Sequence, residues 1–346
     1  MAYLYNHQSQ TRCYLYAYHN FGRFAYSVDT LITNPRVSKM HAVIEWQNQQ
    51  WFIRDLSSNG TWLNKKKLTK QQAKLLKVGD EIRFSNNDDI VFTVGELDPP
   101  SVKLIPYPDS NQEQRGKPKE AISLQPYHLL PNEKEPEIAL ILNQVTGQWR
   151  VEYINEPQLQ PQSLLEHDII EFDNQRWQFQ LSHLADSTEI QAKPQLNIDD
   201  IQCLFELSLD EEITKLTVKS PQGNIDLQSR SHHYLTLNLA RYRVADAEKG
   251  MPIAEQGWIN TDCLLRDLGV DMSYLNIQIH RSRKQFTELL TNVLNAEDLI
   301  ERQLRRVRFG CPSFKIYKGQ KLECSLAQDS SPVQQTSMTP STTVAN

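Results

Sequence analysis

Apolar and polar residues alternate along the first hundred positions, with turn residues at short intervals. Examples are HAVIEW, QWFIRDL, DEIRF and DIVFTV. Such alternation is typical of half-buried strands, and many short strands predict a β-sandwich. The pattern returns over residues 121–195, where GQWRVEYI resembles QQWFIRDL from residues 49–56. This weak repeat predicts a second β-sandwich-like domain of the same ancestry.

The pattern changes after residue 200. A short meander of strands precedes three segments with helical spacing, HHYLTLNLARYRVADA, INTDCLLRDLG and SYLNIQIHRSRKQFTELL. Asp271 and Ser273 are candidate N-caps of the third helix. Alternation then resumes in RQLRRVRFGCPSFKIYKG, which predicts a hairpin that turns at Gly-Cys-Pro. One stripe of the third helix is expected to be buried, namely Leu275, Ile279, Phe286, Leu289 and Leu290.

Two other stretches lack periodicity. Residues 99–120 are rich in proline and charge and are interpreted as a linker. Residues 325–346 are rich in Ser, Thr, Pro and Gln and carry too few large apolar residues to fold, so they are predicted to form a disordered tail. The expected architecture is mainly β and then α+β, with domains over residues 1–98, 121–195 and 200–320.

Charge is distributed unevenly along the 346 residues. The net charge of −5 is the sum of +3 over residues 1–98, −10 over 99–230 and +2 over 231–346. The two ends are therefore candidates for binding anions. No apolar run approaches a membrane span, no signal peptide is recognisable, and five scattered cysteines form no CxxC pair. We expect a soluble cytoplasmic protein without a metal or cofactor.

Three short motifs fall on loops between the first predicted strands: FGRF, VSKMH and SSNGT. Together they supply a guanidinium, an ammonium, several hydroxyls and an amide. These groups bind a phosphate monoester through charge-assisted and neutral hydrogen bonds. Loops held by a rigid sandwich are a common place for such a site.

The ordered motifs Gly-Arg, Ser-x-x-His and Ser-x-Asn-Gly resemble the forkhead-associated (FHA) domain, a β-sandwich that reads phosphothreonine. The resemblance implies that Arg23, Ser38, Lys39 and Ser58 contact the phosphate and that Asn59 bonds the peptide main chain. It also implies structural roles for Gly22, His41 and Gly60. Three further residues on these loops are weaker candidates for selecting neighbouring ligand residues: Asn34, Arg36 and Asn64.

A hydrolytic interpretation competes with the binding one, since Ser38, His41, Asp55 and Ser58 contain the parts of a catalytic triad. No GxSxG nucleophile elbow is present, and a Ser and a His three residues apart rarely face each other. We therefore expect no enzyme. The second β domain lacks all three motifs and is acidic, which favours a degenerate FHA-like domain that acts as a spacer or an intramolecular docking module.

The C-terminal domain carries a basic helix and a basic segment. Asn276, His280, Arg281 and Lys284 are expected on the exposed face of the third helix, where they could contact DNA bases. Arg302, Arg305, Arg306, Arg308, Lys315 and Lys318 follow with no acidic residue between them and could contact phosphates. The order of sheet, three helices and hairpin resembles the winged-helix DNA-binding domain of OmpR/PhoB-type response regulators. Ser282 replaces a buried leucine of that family, and Cys311-Pro312 replaces its regular wing tip.

Considered together, the two ends give the leading hypothesis, a bacterial transcriptional regulator. Its FHA domain would dock a protein phosphorylated on threonine by a Ser/Thr kinase, and its winged helix would bind double-stranded DNA. DNA binding would associate the protein with the nucleoid. The ligand could instead be the chain's own tail, which contains Thr336, Thr339, Thr342 and Thr343. Docking could also drive formation of a homodimer. The alternative is a phosphopeptide-binding adaptor for signalling or secretion machinery whose winged helix contacts protein.

Overall fold

The computed structural model describes residues 1–85, 90–107, 120–156, 158–182, 195–303 and 305–327. The chain divides into two compact units. Unit 1 consists of Met1–Tyr153 and Pro161–Lys193, and unit 2 consists of Ile154–Gln160 and Pro194–Asn346. The predicted tail threonines lie outside the described residues.

Unit 1 begins with two packed sheets. Their orders are β2-β1-β11-β10-β7-β8 and β4-β3-β5-β6-β9. Apolar residues from alternate strand positions, such as Phe21, Ile44, Ile53 and Phe92, fill the space between them. The strands are β1 Tyr3–Asn6, β2 Thr11–Tyr14, β3 Tyr18–Gly22, β4 Thr30–Leu31, β5 Ala42–Gln47, β6 Gln50–Asp55, β7 Trp62–Leu63, β8 Lys66–Lys67, β9 Lys74–Leu75, β10 Glu81–Arg83 and β11 Val91–Glu96.

A second pair of sheets completes unit 1, in the orders β13-β12-β19-β18 and β14-β15-β16-β17. Strand β15 pairs with β14 and β16 as β5 pairs with β3 and β6, and β12 pairs with β19 as β1 pairs with β11. The strands are β12 Lys103–Pro106, β13 Ile122–Ser123, β14 Tyr127–Leu130, β15 Ile138–Leu142, β16 Trp149–Tyr153, β17 Gln162–Leu164, β18 Ile169–Phe172 and β19 Gln175–Gln180.

The predicted linker over residues 99–120 was therefore wrong in part. Lys103–Pro106 form a strand between two others, because Leu104 contributes an apolar side chain to the core of the second β domain. The Lys103 ammonium is buried and donates to the Leu15 carbonyl over 2.8 Å, which joins the two β domains of unit 1. Burial lowers the pKa of Lys103 to about 8.

The described part of unit 2 contains a five-stranded sheet, three α-helices and a three-stranded sheet. The sheet orders are β22-β21-β20-β26-β27 and β23-β25-β24. The elements are β20 Gln202–Leu207, β21 Thr214–Ser220, β22 Gly223–Ser229, α1 His232–Glu248, β23 Ile259–Asn260, α2 Thr261–Leu268, α3 Met272–Leu289, β24 Ile300–Gln303, β25 Arg306–Phe309, β26 Phe314–Lys318 and β27 Lys321–Leu326.

Side-chain caps begin two of these helices. The Asn260 Oδ1 accepts from the Asp262 amide at the start of α2, and the Asp271 Oδ1 accepts from the Tyr274 amide over 2.7 Å at the start of α3. Each cap satisfies an amide that has no partner within the helix. Apolar residues of all three helices pack against both sheets in one core.

The predicted C-terminal hairpin was misplaced. The hairpin of β24 and β25 turns near residue 305, whereas Gly310-Cys311-Pro312 carries the chain to β26, which pairs in parallel with β20. Strand β27 ends at Leu326, so the predicted tail begins with strand residues. Across the described residues, no helix combines the length and hydropathy needed to cross a bilayer.

Candidate functional site

The three loop motifs of the first β domain meet in space. The Arg23 amide donates to the Ser38 carbonyl over 3.0 Å, and the Ser58 amide donates to the Ser38 Oγ over 3.1 Å. The Asn59 Nδ2 donates to the Arg36 carbonyl over 2.6 Å. These bonds place the predicted phosphate-binding and peptide-binding residues side by side.

The polar side chains of this cluster are accessible to a ligand. Arg23, Arg36, Lys39 and Asn59 are exposed, and Ser38 is half-buried. Within the described part of the chain, none of the three cationic groups forms an ion pair with a carboxylate. The loops therefore present positive charge and hydroxyl donors without an internal anion, as a phosphate site requires.

His41 lies beneath the loops and is fully buried. Its Nδ1 accepts from the Ser38 amide over 3.0 Å, and its Nε2 donates to the Gly60 carbonyl over 3.0 Å. Burial lowers the pKa of His41, which keeps the ring neutral near pH 7. A neutral ring with its proton on Nε2 fits both bonds, so His41 connects the Ser38 loop to the Gly60 loop.

A buried carboxylate shapes the SSNGT loop from below. The Asp55 Oδ1 accepts from the Ser57 hydroxyl over 2.7 Å and from the Thr61 hydroxyl over 2.8 Å. The Ser57 Oγ in turn accepts from the Gly60 amide over 2.6 Å. The sequence prediction missed Ser57, although a hydroxyl two residues after an aspartate is a recognisable turn signal.

Two glycines are required by the geometry of these loops. A Cβ on Gly22 would lie 2.1 Å from the Lys39 carbonyl oxygen, so only glycine lets the loop after β3 approach the residues around Ser38. Gly60 has φ of +104°, in the left-handed region that favours glycine. The two glycines therefore fix the positions of the loops that carry Arg23 and Asn59.

Asn34 and Asn64 occupy framework positions. The Asn34 Oδ1 accepts from the Arg36 amide over 2.9 Å and so shapes the loop that carries Arg36. Asn64 bonds to the Asp80 carboxylate over 2.7 Å, and its Oδ1 accepts from the Glu81 amide. These contacts hold Asn64 in the turn between β7 and β8.

The predicted exposed face of α3 was wrong for two residues. Asn276 and His280 are each only 1% exposed. The Asn276 Nδ2 donates to the Ile154 carbonyl over 2.9 Å, and the Arg302 Nη2 donates to the Asn276 Oδ1 over 2.8 Å. Helical spacing predicted one buried stripe, but contacts on other sides of α3 bury polar residues as well, while Leu289 is exposed.

The basic residues around the β24–β25 hairpin differ in accessibility. Arg305 and Arg306 are exposed, whereas the Arg308 Nη2 donates to both carboxylate oxygens of Glu301, each over 2.9 Å. The Arg308 guanidinium lies 4.7 Å from the Trp258 ring centroid, a contact that the sequence prediction missed. Arg281 and Lys284 on α3 are half-buried, and Lys284 lies 3.5 Å from Glu288. Lys315 and Lys318 belong to another sheet, where Lys318 pairs with Glu211.

Solved structures similar to part of this chain come from several organisms and include FHA domains. EmbR of Mycobacterium tuberculosis, solved with a low-affinity phosphopeptide, is 32% identical over 27% of this chain and 24% of its own, with a TM-score of 0.25. The N-terminal FHA domain of Rad53p from S. cerevisiae, solved with a phosphothreonine peptide, is 27% identical over 27% of this chain and 90% of its own, with a TM-score of 0.25. An Arabidopsis thaliana FHA domain is 26% identical over 29% of this chain and 88% of its own, with a TM-score of 0.26.

The family comparison concerns the loops described above. No curated protein matches the chain significantly. The model of the FHA domain matches residues 19–85, a range that contains all three motifs, His41 and the Asp55 network. The N-terminal part of this chain therefore contains an FHA domain.

Proposed function

We propose that this chain is a phosphothreonine-dependent regulator, which docks a phosphorylated protein through its FHA domain and contacts DNA through unit 2. The observation that carries the proposal is the junction of the three loops. Exposed Arg23 and Lys39, the Ser38 and Ser58 hydroxyls and the Asn59 amide meet there. Buried hydrogen bonds of His41, Asp55 and Ser57 hold the loops from beneath. EmbR and the Rad53p domain were solved with phosphopeptides, which agrees with this ligand class.

The site is proposed to bind and not to catalyse. The His41 Nε2 donates to the Gly60 carbonyl and its Nδ1 accepts from a backbone amide, so the ring offers no free nitrogen to activate a serine. The Asp55 carboxylate bonds to Ser57 and Thr61, not to the imidazole. The groups of a triad are present but are bonded to other partners.

Peptide titration tests the binding proposal. Fluorescence anisotropy with the full chain should show that a phosphothreonine library binds and that its phosphoserine counterpart binds more weakly. Arg23→Ala should weaken binding at least about tenfold, because a hydrogen bond to a charged group contributes about 1.5–3 kcal/mol. Lys74→Ala removes an exposed charge on β9 and is the matched control. Equal affinity of the wild type and Arg23→Ala would refute the proposal.

The DNA part of the proposal rests on unit 2. Three helices are followed by the β24–β25 hairpin, which pairs with β23 and carries exposed Arg305 and Arg306. This arrangement supports the winged-helix hypothesis. Because Asn276 and His280 are buried, we assign the DNA contacts to the β24–β25 hairpin and to Arg281.

Salt-dependent gel shifts test that assignment. Binding should weaken as salt rises, with a slope of about −0.9 for each phosphate contacted. Arg306→Ala should reduce both the affinity and the slope, whereas Lys321→Ala on β27 should change neither. Absence of any shift at low salt would refute DNA binding by this conformation.

The burial of Asn276 and His280 favours the second candidate, an adaptor whose unit 2 binds protein. A helix that uses its polar residues for internal contacts is poorly suited to reading bases in a groove. Co-purification of a stable protein partner through unit 2, without DNA binding, would support the adaptor. We further expect that a Ser/Thr kinase phosphorylates the docked protein and that docking can drive formation of a homodimer.

A further inference from the structure

Three exposed apolar side chains adjoin the phosphate-binding residues. Phe24 is 43% exposed, Tyr26 is 93% exposed and Met40 is 42% exposed. Phe24 and Tyr26 pack edge to face with ring centroids 5.6 Å apart. The core of this β domain is filled by other residues, so these side chains are not needed for its packing. We name Phe24, Tyr26 and Met40 the apolar shelf.

The backbone places the apolar shelf against the site. The Phe24 amide donates to the Lys39 carbonyl over 3.4 Å, next to the bond between Arg23 and Ser38. The Ser27 amide donates to the Phe24 carbonyl over 3.0 Å and closes a turn that carries Tyr26. The Lys39 Nζ lies 5.5 Å from the Phe24 ring centroid. Lys39 and the two rings therefore form one continuous surface, and Met40 directly follows Lys39 in the chain.

A continuous surface of this kind matches one chemical class of ligand. Consecutive residues of an extended peptide are about 3.3 Å apart, so residues within two positions of a phosphothreonine lie within about 7 Å of it. Adjacent exposed rings and a thioether bind aliphatic or aromatic side chains. Clustered exposed apolar residues mark binding surfaces, unlike single ones.

We propose that the apolar shelf selects phosphothreonine peptides that carry a large apolar side chain within two positions of the phosphothreonine. This inference rests on the proposed function of the FHA site and adds a preference for the flanking residue. Arg23 and Lys39 hold the phosphate, and the shelf removes the neighbouring apolar side chain from water.

The test uses the full chain and a set of phosphothreonine peptides. Each peptide places Leu or Ser at one of the two positions before or after the phosphothreonine. At one position at least, Leu should bind about five- to thirtyfold more tightly than Ser, as expected from partial burial of one large apolar side chain. Tyr26→Ser and Met40→Ser should each reduce this preference while Ser-containing peptides bind unchanged. Val78→Ser, which alters an exposed apolar residue elsewhere in unit 1, is the matched control.

The outcomes separate the two proposals. If Arg23-dependent binding occurs but Leu and Ser peptides bind equally at every position, the shelf proposal is overturned and the phosphopeptide site stands. If no peptide binds in an Arg23-dependent manner, both fail. Binding of the wild type to phosphatidylglycerol vesicles that Tyr26→Ser abolishes, without any peptide preference, would overturn the shelf proposal in favour of a lipid surface.

Discussion

Acidification should destabilise unit 1 through a buried histidine outside the candidate site. His19 is 2% exposed, its Nδ1 accepts from the Tyr16 amide over 3.2 Å, and its Nε2 lies 2.8 Å from the Thr30 hydroxyl. Burial and then the charge of Lys103 lower the pKa of His19 to about 3. The ring is therefore neutral in the folded protein over most of the acidic range.

The size of the effect follows from linkage between protonation and folding. The unfolded chain binds a proton at His19 below about pH 6.5, whereas the folded chain does so only near pH 3. The stabilisation that comes from His19 being neutral in the folded state is fully present above about pH 6.5. As pH falls below this value, the free energy of unfolding decreases by about 1.4 kcal/mol per pH unit. Between pH 7 and pH 5 the free energy of unfolding should fall by about 2 kcal/mol through His19. His41, whose pKa is also lowered, acts in the same direction.

Urea unfolding at pH 7 and pH 5 measures this loss. In His19→Asn the amide oxygen can still accept from the Tyr16 amide, but the group no longer titrates. The difference between the two pH values should therefore shrink by about 2 kcal/mol, whatever the absolute stability of the variant. An unchanged difference would refute the reasoning. If the variant does not fold, the His19 ring signals of the wild type answer the same question by NMR, because titration near pH 6 would contradict a low pKa.

Three further predictions concern the loops and unit 2. Gly22→Ala should lower the stability of unit 1 by about 1–3 kcal/mol in urea unfolding and weaken phosphopeptide binding, because its Cβ would meet the Lys39 carbonyl; normal affinity would contradict the required close approach. Asn64→Ala should lower the melting temperature, because the bonds of Asn64 to Asp80 and Glu81 are lost, but peptide affinity should change by less than about twofold. A larger loss of affinity would indicate that Asn64 contacts the ligand. Arg243→Met should lower the free energy of unfolding of unit 2 by about 2–4 kcal/mol, as measured by urea unfolding. The reason is that the buried guanidinium donates to the Phe309 and Gly310 carbonyls, both over 2.7 Å. Arg266→Met, at an exposed position, should have little effect.

The motifs of the candidate site could be recognised in the sequence because each is a short set of residues and the three occur in a fixed order. Arg23, Ser38 and Asn59 lie on separate loops, and alternation predicted the strands between them. The resemblance to the FHA domain, not the alternation, implied that these loops share one site. Ser57 escaped notice because its role depends on a buried carboxylate, and burial of polar groups leaves no periodic signal.

Helix α3 shows why the rest was harder to predict. Periodicity identifies the stripe that faces the largest apolar core, which is why Leu275, Ile279 and Phe286 were placed correctly. It contains no information on polar contacts with segments distant in sequence, such as that between Asn276 and Ile154. The position of the hairpin was missed for a similar reason, since Gly310-Cys311-Pro312 resembles a turn locally but leads to a strand that pairs with β20.

The distribution of charge around the candidate site has a kinetic consequence. Buried hydrogen bonds of His41 and Ser57 hold the loops, while Arg23, Arg36 and Lys39 form no ion pair with any carboxylate in the described ranges. An arriving phosphate therefore has no internal anion to displace, and the frame it meets does not depend on surface charge. Ionic strength should accordingly change the association rate of a phosphopeptide much more than its dissociation rate.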